Sequence, residues 1–300
     1  MTSTSGDALA DRRFEFARQF AERGDYAAAA DLIRQAIDLA PRWAEARFSL
    51  GEALMLAGAP DEAAAAFAAY LDLDPADSMG AGTKLALLGA TPRTAELAPA
   101  YVERLFDQYA PRFDKALVEG LGYSAPRHIR AALAATWPGR RYRRCLDLGC
   151  GTGLMGAAVR DIVVTLEGVD ISAGMLAEAK RKTIYDRLHK ADLTAALTRE
   201  RGALDLILAA DVLVYVGDLA PVLRAAAGAL AAGGVLALTV QAEEAVDFML
   251  GADQRFSHSP SYVTRCLIAA GLTVMGLTPG SFRREKNADV PGLLAIAAKD

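Results

Sequence analysis

The sequence predicts an α/β fold, a largely parallel sheet wrapped by helices, standing behind an all-α domain. Three observations carry this. A short apolar strand over residues 145–148 runs into the glycine-rich turn Gly149-Cys150-Gly151-Thr152-Gly153, after which residues 155–160 have the composition of a helix opening. A second apolar stretch over 166–169 ends in an acid, Asp170, 21 residues after Gly149. Ahead of both, residues 11–75 repeat themselves with a period of 34.

The repeat is visible by subtraction: Gly24 and Gly58, Ala29 and Ala63, Ile33 and Phe67, and Pro41 and Pro75 are each 34 apart. The glycines fall where a helix pair turns, the alanines allow close helix packing, and each proline follows a helix it cannot continue. The segment resembles two tetratricopeptide repeats. The second keeps Leu50-Gly51, whereas the first has Arg13 and Phe16-Ala17 in place of the usual Trp and Leu-Gly; residues 78–88 are a candidate cap. Residues 1–90 are thus expected to form a helical repeat domain. About three copies are usually needed to bury a continuous core, so two alternatives stand: the repeats hold a protein partner, or, the weightier one, they pack on their own chain or self-associate.

Residues 91–142 are expected to hold a linker, marked by Pro92 and Pro99, and then helices. Leu105, Phe106, Tyr109, Phe113 and Leu117 recur at helical spacing, broken by Pro111. On pattern alone this is an amphipathic helix on a core.

Residues 143–300 carry the chemistry. Glycines tolerate positive φ and present bare backbone to a ligand at a helix start. A dinucleotide turn needs G-x-G-x-x-G, and Leu154 stands where its third glycine should be. With Asp147 two residues ahead, the series Asp147, Gly149, Gly151, Gly153 resembles the first motif of the class I S-adenosylmethionine (SAM) dependent methyltransferases. That resemblance implies a seven-stranded Rossmann-like sheet, SAM as cofactor and S-adenosylhomocysteine (SAH) as product. It implies that Asp170 accepts the ribose hydroxyls, Ile171 packs on the adenine, Met175 lies in the turn into the next helix, and Asp192 and Leu193 read adenine. Phe106-Asp107-Gln108-Tyr109-Ala110 with Phe113-Asp114 is similar to the segment in which an aromatic closes over cofactor and acceptor, which makes Tyr109 a catalytic candidate. The whole order resembles a family of predicted bacterial methyltransferases carrying tetratricopeptide repeats.

Residues 204–209 read as a buried parallel strand, from whose carboxyl end Asp211 and Tyr215 emerge, where ligands bind in open α/β sheets. Both are candidates for the methyl-transfer pocket, Asp211 alternatively a cap of the next helix. Helix 221–231, the turn Gly233-Gly234 and strand 235–240 follow, then helix 259–270 and the closing strands 272–277 and 293–298. His258, in a loop near the strand ends, is a catalytic candidate or a surface residue. Arg283-Arg284-Glu285-Lys286 reads as a solvated hairpin tip, or Arg284 as an anchor for an anionic acceptor.

With 53% hydrophobic and 23% charged residues in 300, the chain is globular, and a net charge of -4 gives no footprint for nucleic acid. Cys145, Cys150 and Cys266 lack metal spacing, so no metal is expected and the cysteines read as buried residues of a reducing compartment. Residues 1–10 have no leader pattern and no apolar run is long enough to span a bilayer, which predicts a soluble cytoplasmic protein. The expected activity is methyl transfer to a small-molecule acceptor. A protein acceptor recruited by the repeats is the second reading, although Ala210-Asp211-Val212-Leu213 replaces the Asn/Asp-Pro-Pro-Tyr signature of protein-amide enzymes. A SAM-binding scaffold is the third.

Overall fold

The computed structural model describes residues 4–94, 96–115, 120, 122–285 and 288–300. The chain divides into two units, Met1–Tyr101 and Val102–Asp300. Leu117 and Lys286 of the sequence reading lie outside the described residues.

The first unit stacks helices α1 (Ala8–Glu22), α2 (Tyr26–Leu39), α3 (Ala44–Leu56), α4 (Pro60–Leu71) and α5 (Ala81–Leu88). The repeat spacing explains the packing. Ala29 and Ala63 are fully buried where paired helices approach, and Gly24 and Gly58 both take φ of 80° in the turns. Gly51 is required because a Cβ there would lie 2.6 Å from Cε1 of Phe67, so α3 and α4 meet around that ring. Phe48 packs edge-on against Phe67 and Tyr70, both at 5.4 Å between centroids. After two helix pairs, α5 covers the open end: Asp77 accepts the N–H groups of Ala81 and Gly82 at its start, and Ala81 and Leu85 join the core.

The second unit begins within α6 (Pro99–Tyr109), followed by α7 (Ala125–Thr136), β1 (Tyr142–Leu148), α8 (Leu154–Val159), β2 (Val163–Asp170), α9 (Ala173–Arg181), β3 (Arg187–Lys190), α10 (Leu193–Arg199) and β4 (Leu204–Ala209). Then come α11 (Ala220–Ala229), β5 (Leu230–Ala242), β6 (Phe248–Leu250), β7 (Phe256–His258), α12 (Pro260–Ala269), β8 (Leu272–Glu285) and β9 (Ala288–Lys299). The sheet runs β3-β2-β1-β4-β5 in parallel, and β9 then pairs antiparallel with β5 and with β8. These are the seven expected strands. β6 and β7 are additional, a three-residue ribbon attached to the end of β5 at Gln241 and Ala242. Leu206, Ile207 and Leu208 are fully buried because α10, α11 and α12 cover one face of the sheet and α7 and α8 the other. The strand order reverses at β1, with β2 on one side and β4 on the other, and that opens a crevice at their carboxyl ends.

Two local readings are corrected. Residues 230–231 belong to β5 rather than to the preceding helix. The Arg283 end of the basic run is not a solvated tip: β8 continues to Glu285, and the Arg283 side chain is 4% exposed. Among the described residues no helix is long and apolar enough to cross a membrane.

Candidate functional site

The glycine turn after β1 is built as the spacing demands. Gly149, Gly151 and Gly153 have φ of 61°, 53° and 97°, a region that side chains rarely occupy. At Gly149 an added Cβ would lie 2.2 Å from Cγ2 of Val212, so the turn also lies close against the segment leaving β4. Beneath it sits Tyr185, which sequence reasoning missed. Its ring would meet a Cβ at Gly153, Gly156 or Gly168, and its hydroxyl donates to Oδ2 of Asp147 at 2.6 Å. Asp147 is 1% exposed, and its Oδ1 has no hydrogen-bond partner among the described residues. Burial pushes this carboxyl up to about 7, the Tyr185 hydroxyl holding it down and the charge of Asp170 adding to the rise.

Asp170, at the end of β2, is 7% exposed. Its Oδ2 accepts the Gly151 N–H at 2.9 Å and its Oδ1 the Ser172 N–H at 2.8 Å. Burial raises its pKa and these backbone bonds oppose the rise. Each oxygen keeps a second lone pair for a ligand hydroxyl. Ile171 is half-buried beside it. Ser172 caps α9 by accepting the Met175 N–H, and the Met175 side chain is itself 1% exposed, packed as core. Asp192 is exposed and caps α10 through Oδ1, which accepts from Thr194 and Ala195, with the half-buried Leu193 opening that helix.

The segment around α6 is fastened over this region by two carboxylates. Oδ1 of Asp107 accepts from the Ser172 hydroxyl at 2.6 Å and the Gly174 N–H at 2.9 Å, and a Cβ at Gly174 would lie only 3.2 Å from the Ala110 Cβ. Asp114 accepts from the Thr152 hydroxyl of the turn and from Lys182. The expected aromatics meet: Phe113 contacts Phe106 and Tyr109 edge-on, and Phe106 contacts Tyr215 at 5.2 Å. The Arg112 guanidinium lies 5.6 Å over one face of Tyr109.

Past β4, Asp211 takes φ of 57° and donates its N–H to the Thr239 hydroxyl at 2.9 Å, so it does not cap the short helical turn that follows. Arg283 binds Gln241 at 2.7 Å and Glu285 at 3.2 Å, with Asp253 at 3.5 Å and Asp211 at 3.9 Å. Arg255 donates to the Tyr215 hydroxyl at 3.2 Å. Burial raises the Asp211 pKa against the pull of Arg255 and Arg283, and burial raises that of Tyr215 too. Burial raises the pKa of Tyr123, and the charges of Asp211 and Asp147 add to the rise.

His258 is a correction. It is fully buried at the end of β7, and its Nε2 lies 3.0 Å from the carbonyls of Val216 and Gly217. Nε2 must therefore carry the proton and donate, and burial lowers the pKa, so the ring is a neutral tie holding the post-β4 loop. Tyr185, Tyr123 and Arg255 had no sequence signal, and Arg283 was read only as part of a solvated basic run. Asp107 and Asp114 stood inside the aromatic motif but drew no attention beside its rings.

The residues present suit a nucleoside ligand with a cationic amino-acid tail. Over Gly151 an added Cβ would have only Phe113 nearby, at 3.8 Å, Asp170 offers lone pairs, and Asp147 Oδ1 is an orphaned buried acceptor.

Residues 146–236 match the methyltransferase domain family, and residues 14–78 match the tetratricopeptide repeat family. The chain is 32% identical over 146 residues to a malonyl-[acyl-carrier protein] O-methyltransferase of Enterobacter lignolyticus (strain SCF1), covering 45% of this chain and 58% of that protein. It is 35% identical over 132 residues to human methyltransferase-like protein 27, covering 42% and 54%. It thus spans a little over half the length of these relatives. Among solved structures, the [4+2]-cyclase SpnF superposes with a TM-score of 0.54 at 18% identity, covering 66% of this chain and 94% of that one. A putative methyltransferase in complex with the Haloferax volcanii Trm112 activator gives 0.51 at 20%, covering 64% and 96%. These two likenesses concern the fold alone.

Proposed function

We propose that this chain, a class I SAM-dependent methyltransferase domain behind tetratricopeptide repeats, methylates a small-molecule acceptor. Asp170 would hold the ribose of the cofactor, Asp147 the ammonium of its tail, the glycine turn its backbone-facing side, and Ile171, Asp192 and Leu193 its adenine. The cofactor supplies an electrophilic methyl group on a sulfonium. The protein's part is alignment, exclusion of water and care of the acceptor's proton. Phe106, Tyr109 and Phe113 with Tyr215 give an apolar, electron-rich wall suited to a sulfonium. Asp211, whose carboxylate accepts no hydrogen bond among the described residues and whose pKa is raised by burial, is placed to take a proton from a hydroxyl or amine acceptor.

The observation that carries the small-molecule reading is the Phe106–Tyr215 contact, because it draws the α6 segment, latched by Asp107 and Asp114, across the carboxyl end of β4. A segment held across the strand ends favours a small acceptor over a folded surface. The repeat match favours one alternative, a protein acceptor recruited by the repeats. Incubation of the full chain with methyl-labelled SAM and a bacterial extract split by size tests this. Label should appear in the small-molecule fraction, and should fall about a hundredfold with Asp211→Asn while SAH binding persists. Label confined to protein would refute the reading in favour of the alternative.

A further inference from the structure

Tyr185 is the least expected member of the cofactor region. It follows α9, far in sequence from the turn, yet its ring occupies the space under three elements at once. A Cβ at Gly156 in α8 would fall 2.5 Å from its Cζ, one at Gly168 in β2 3.0 Å from Cε1, and one at Gly153 in the turn 3.1 Å from Cε2. Three glycines are bare on the side where this ring lies. The phenol then reaches Asp147, donating to Oδ2 at 2.6 Å, and Oδ1 of this buried carboxyl has no partner among the described residues.

We propose that Tyr185 is a positioning residue of the cofactor site: its ring props the glycine turn from beneath, and its hydroxyl keeps Asp147 in the ionised form that a cationic ligand head requires. The proposal rests on the methyltransferase reading above. A buried carboxylate without donors would take up a proton, and a protonated Asp147 offers an ammonium no charge. One charge-assisted bond from Tyr185 opposes that, and a ligand ammonium at Oδ1 would complete it.

The other groups around Asp147 do not compete for this role. Cys145 on its own strand, Cys150 in the turn and Tyr123 ahead of α7 are all pushed up by burial, so they stay neutral near pH 7. The Gly156 backbone of α8 also favours the ionised form, and the carboxylate of Asp170 on β2 acts against it. Since the free carboxyl titrates at about 7, affinity for a cationic head should fall as pH drops below that value. The limit is about tenfold per pH unit.

Calorimetric titration of the full chain with SAH, which retains the ammonium, between pH 5.5 and 8.5 tests this. The parent should show weaker binding below pH 7. Tyr185→Phe keeps the ring and removes the donor, so the midpoint should move up by about one to two pH units, with binding at pH 7 about tenfold weaker. Asp147→Asn should bind weakly at every pH, and Tyr185→Phe in that background should add no pH-dependent loss. A Tyr185→Phe profile lowered uniformly, with its midpoint unmoved, would reduce Tyr185 to packing and overturn the proposal. So would a parent profile that is flat with pH, although SAH binding would then still uphold the methyltransferase reading. Failure of the folded parent to bind SAH at any pH would overturn that reading and the role together.

Discussion

Replacing Asp170 separates what a ligand needs from what the turn needs. In Asp170→Ala the Gly151 and Ser172 N–H groups lose the oxygens they reach at 2.9 and 2.8 Å. An orphaned buried donor costs about 1–3 kcal/mol, so the folded state should lose roughly 2–4 kcal/mol. That loss falls on free and bound forms alike. Affinity should drop through the ribose hydroxyls, whose bonds to a charged acceptor contribute about 1.5–3 kcal/mol, or roughly ten- to a hundredfold. Asp170→Asn is not a gentler test: its amide can leave one N–H facing the donor of Gly151 or Ser172, so the turn suffers even though the shape is kept. Urea unfolding gives the first quantity and SAH calorimetry the second. A folded Asp170→Ala chain that binds SAH within threefold of the parent would remove Asp170 from the cofactor site.

Two further outcomes follow from the geometry. Arg283→Met should cost about 3–5 kcal/mol in urea unfolding, because it strands Asp253 and Glu285 near Asp211 without their buried cation, whereas Arg284→Met should cost under about 1 kcal/mol, its pair with Asp289 being exposed; equal losses would refute the buried hub. Asp107→Ala combined with Asp114→Ala should speed amide exchange over residues 102–115 at least about tenfold in the free chain, and unchanged exchange would deny that these carboxylates hold the segment down.

What the sequence made legible was what backbone geometry dictates. Gly149, Gly151 and Gly153 are readable because positive φ admits little else, and Asp170 because strand length and crossover length fix where the second strand ends. The central strands were readable because both faces are covered, which leaves continuous apolar runs such as Leu206, Ile207 and Leu208, whereas the polar and mostly exposed β3 gave no such run. The aromatic segment was readable as a pattern, but its fastening was not: Asp107 and Asp114 became significant only through Ser172, Gly174, Thr152 and Lys182, from other elements. Tyr185 depends on glycines in three elements, a coincidence that spacing cannot show. Arg283 was misread for a specific reason. The β8–β9 register shifts between Ser281 and Arg284, and this bulge buries the consecutive Phe282 and Arg283 where strict alternation would expose one of them. His258 was misplaced because a three-residue strand, too short for periodicity, carries it inward.

The same bulge bears on the acceptor. Arg283 is engaged by Gln241 and Glu285, with Asp253 at 3.5 Å balancing its charge, and Arg255 spends its Nε on Tyr215. With Asp211, Asp253 and Glu285 against two arginines, the acceptor side carries no surplus of positive charge. Asp211 is the group left over. Its backbone is held at φ of 57°, which costs a non-glycine residue about 1 kcal/mol or more, and its closest cation stands at 3.9 Å. A strained carboxylate that accepts no hydrogen bond among the described residues, at the carboxyl end of a central strand, gains most from a ligand that brings a proton to it. Hydroxyl and amine acceptors do so and carboxylate acceptors do not, which is the ground on which we propose a protonated nucleophile as the acceptor.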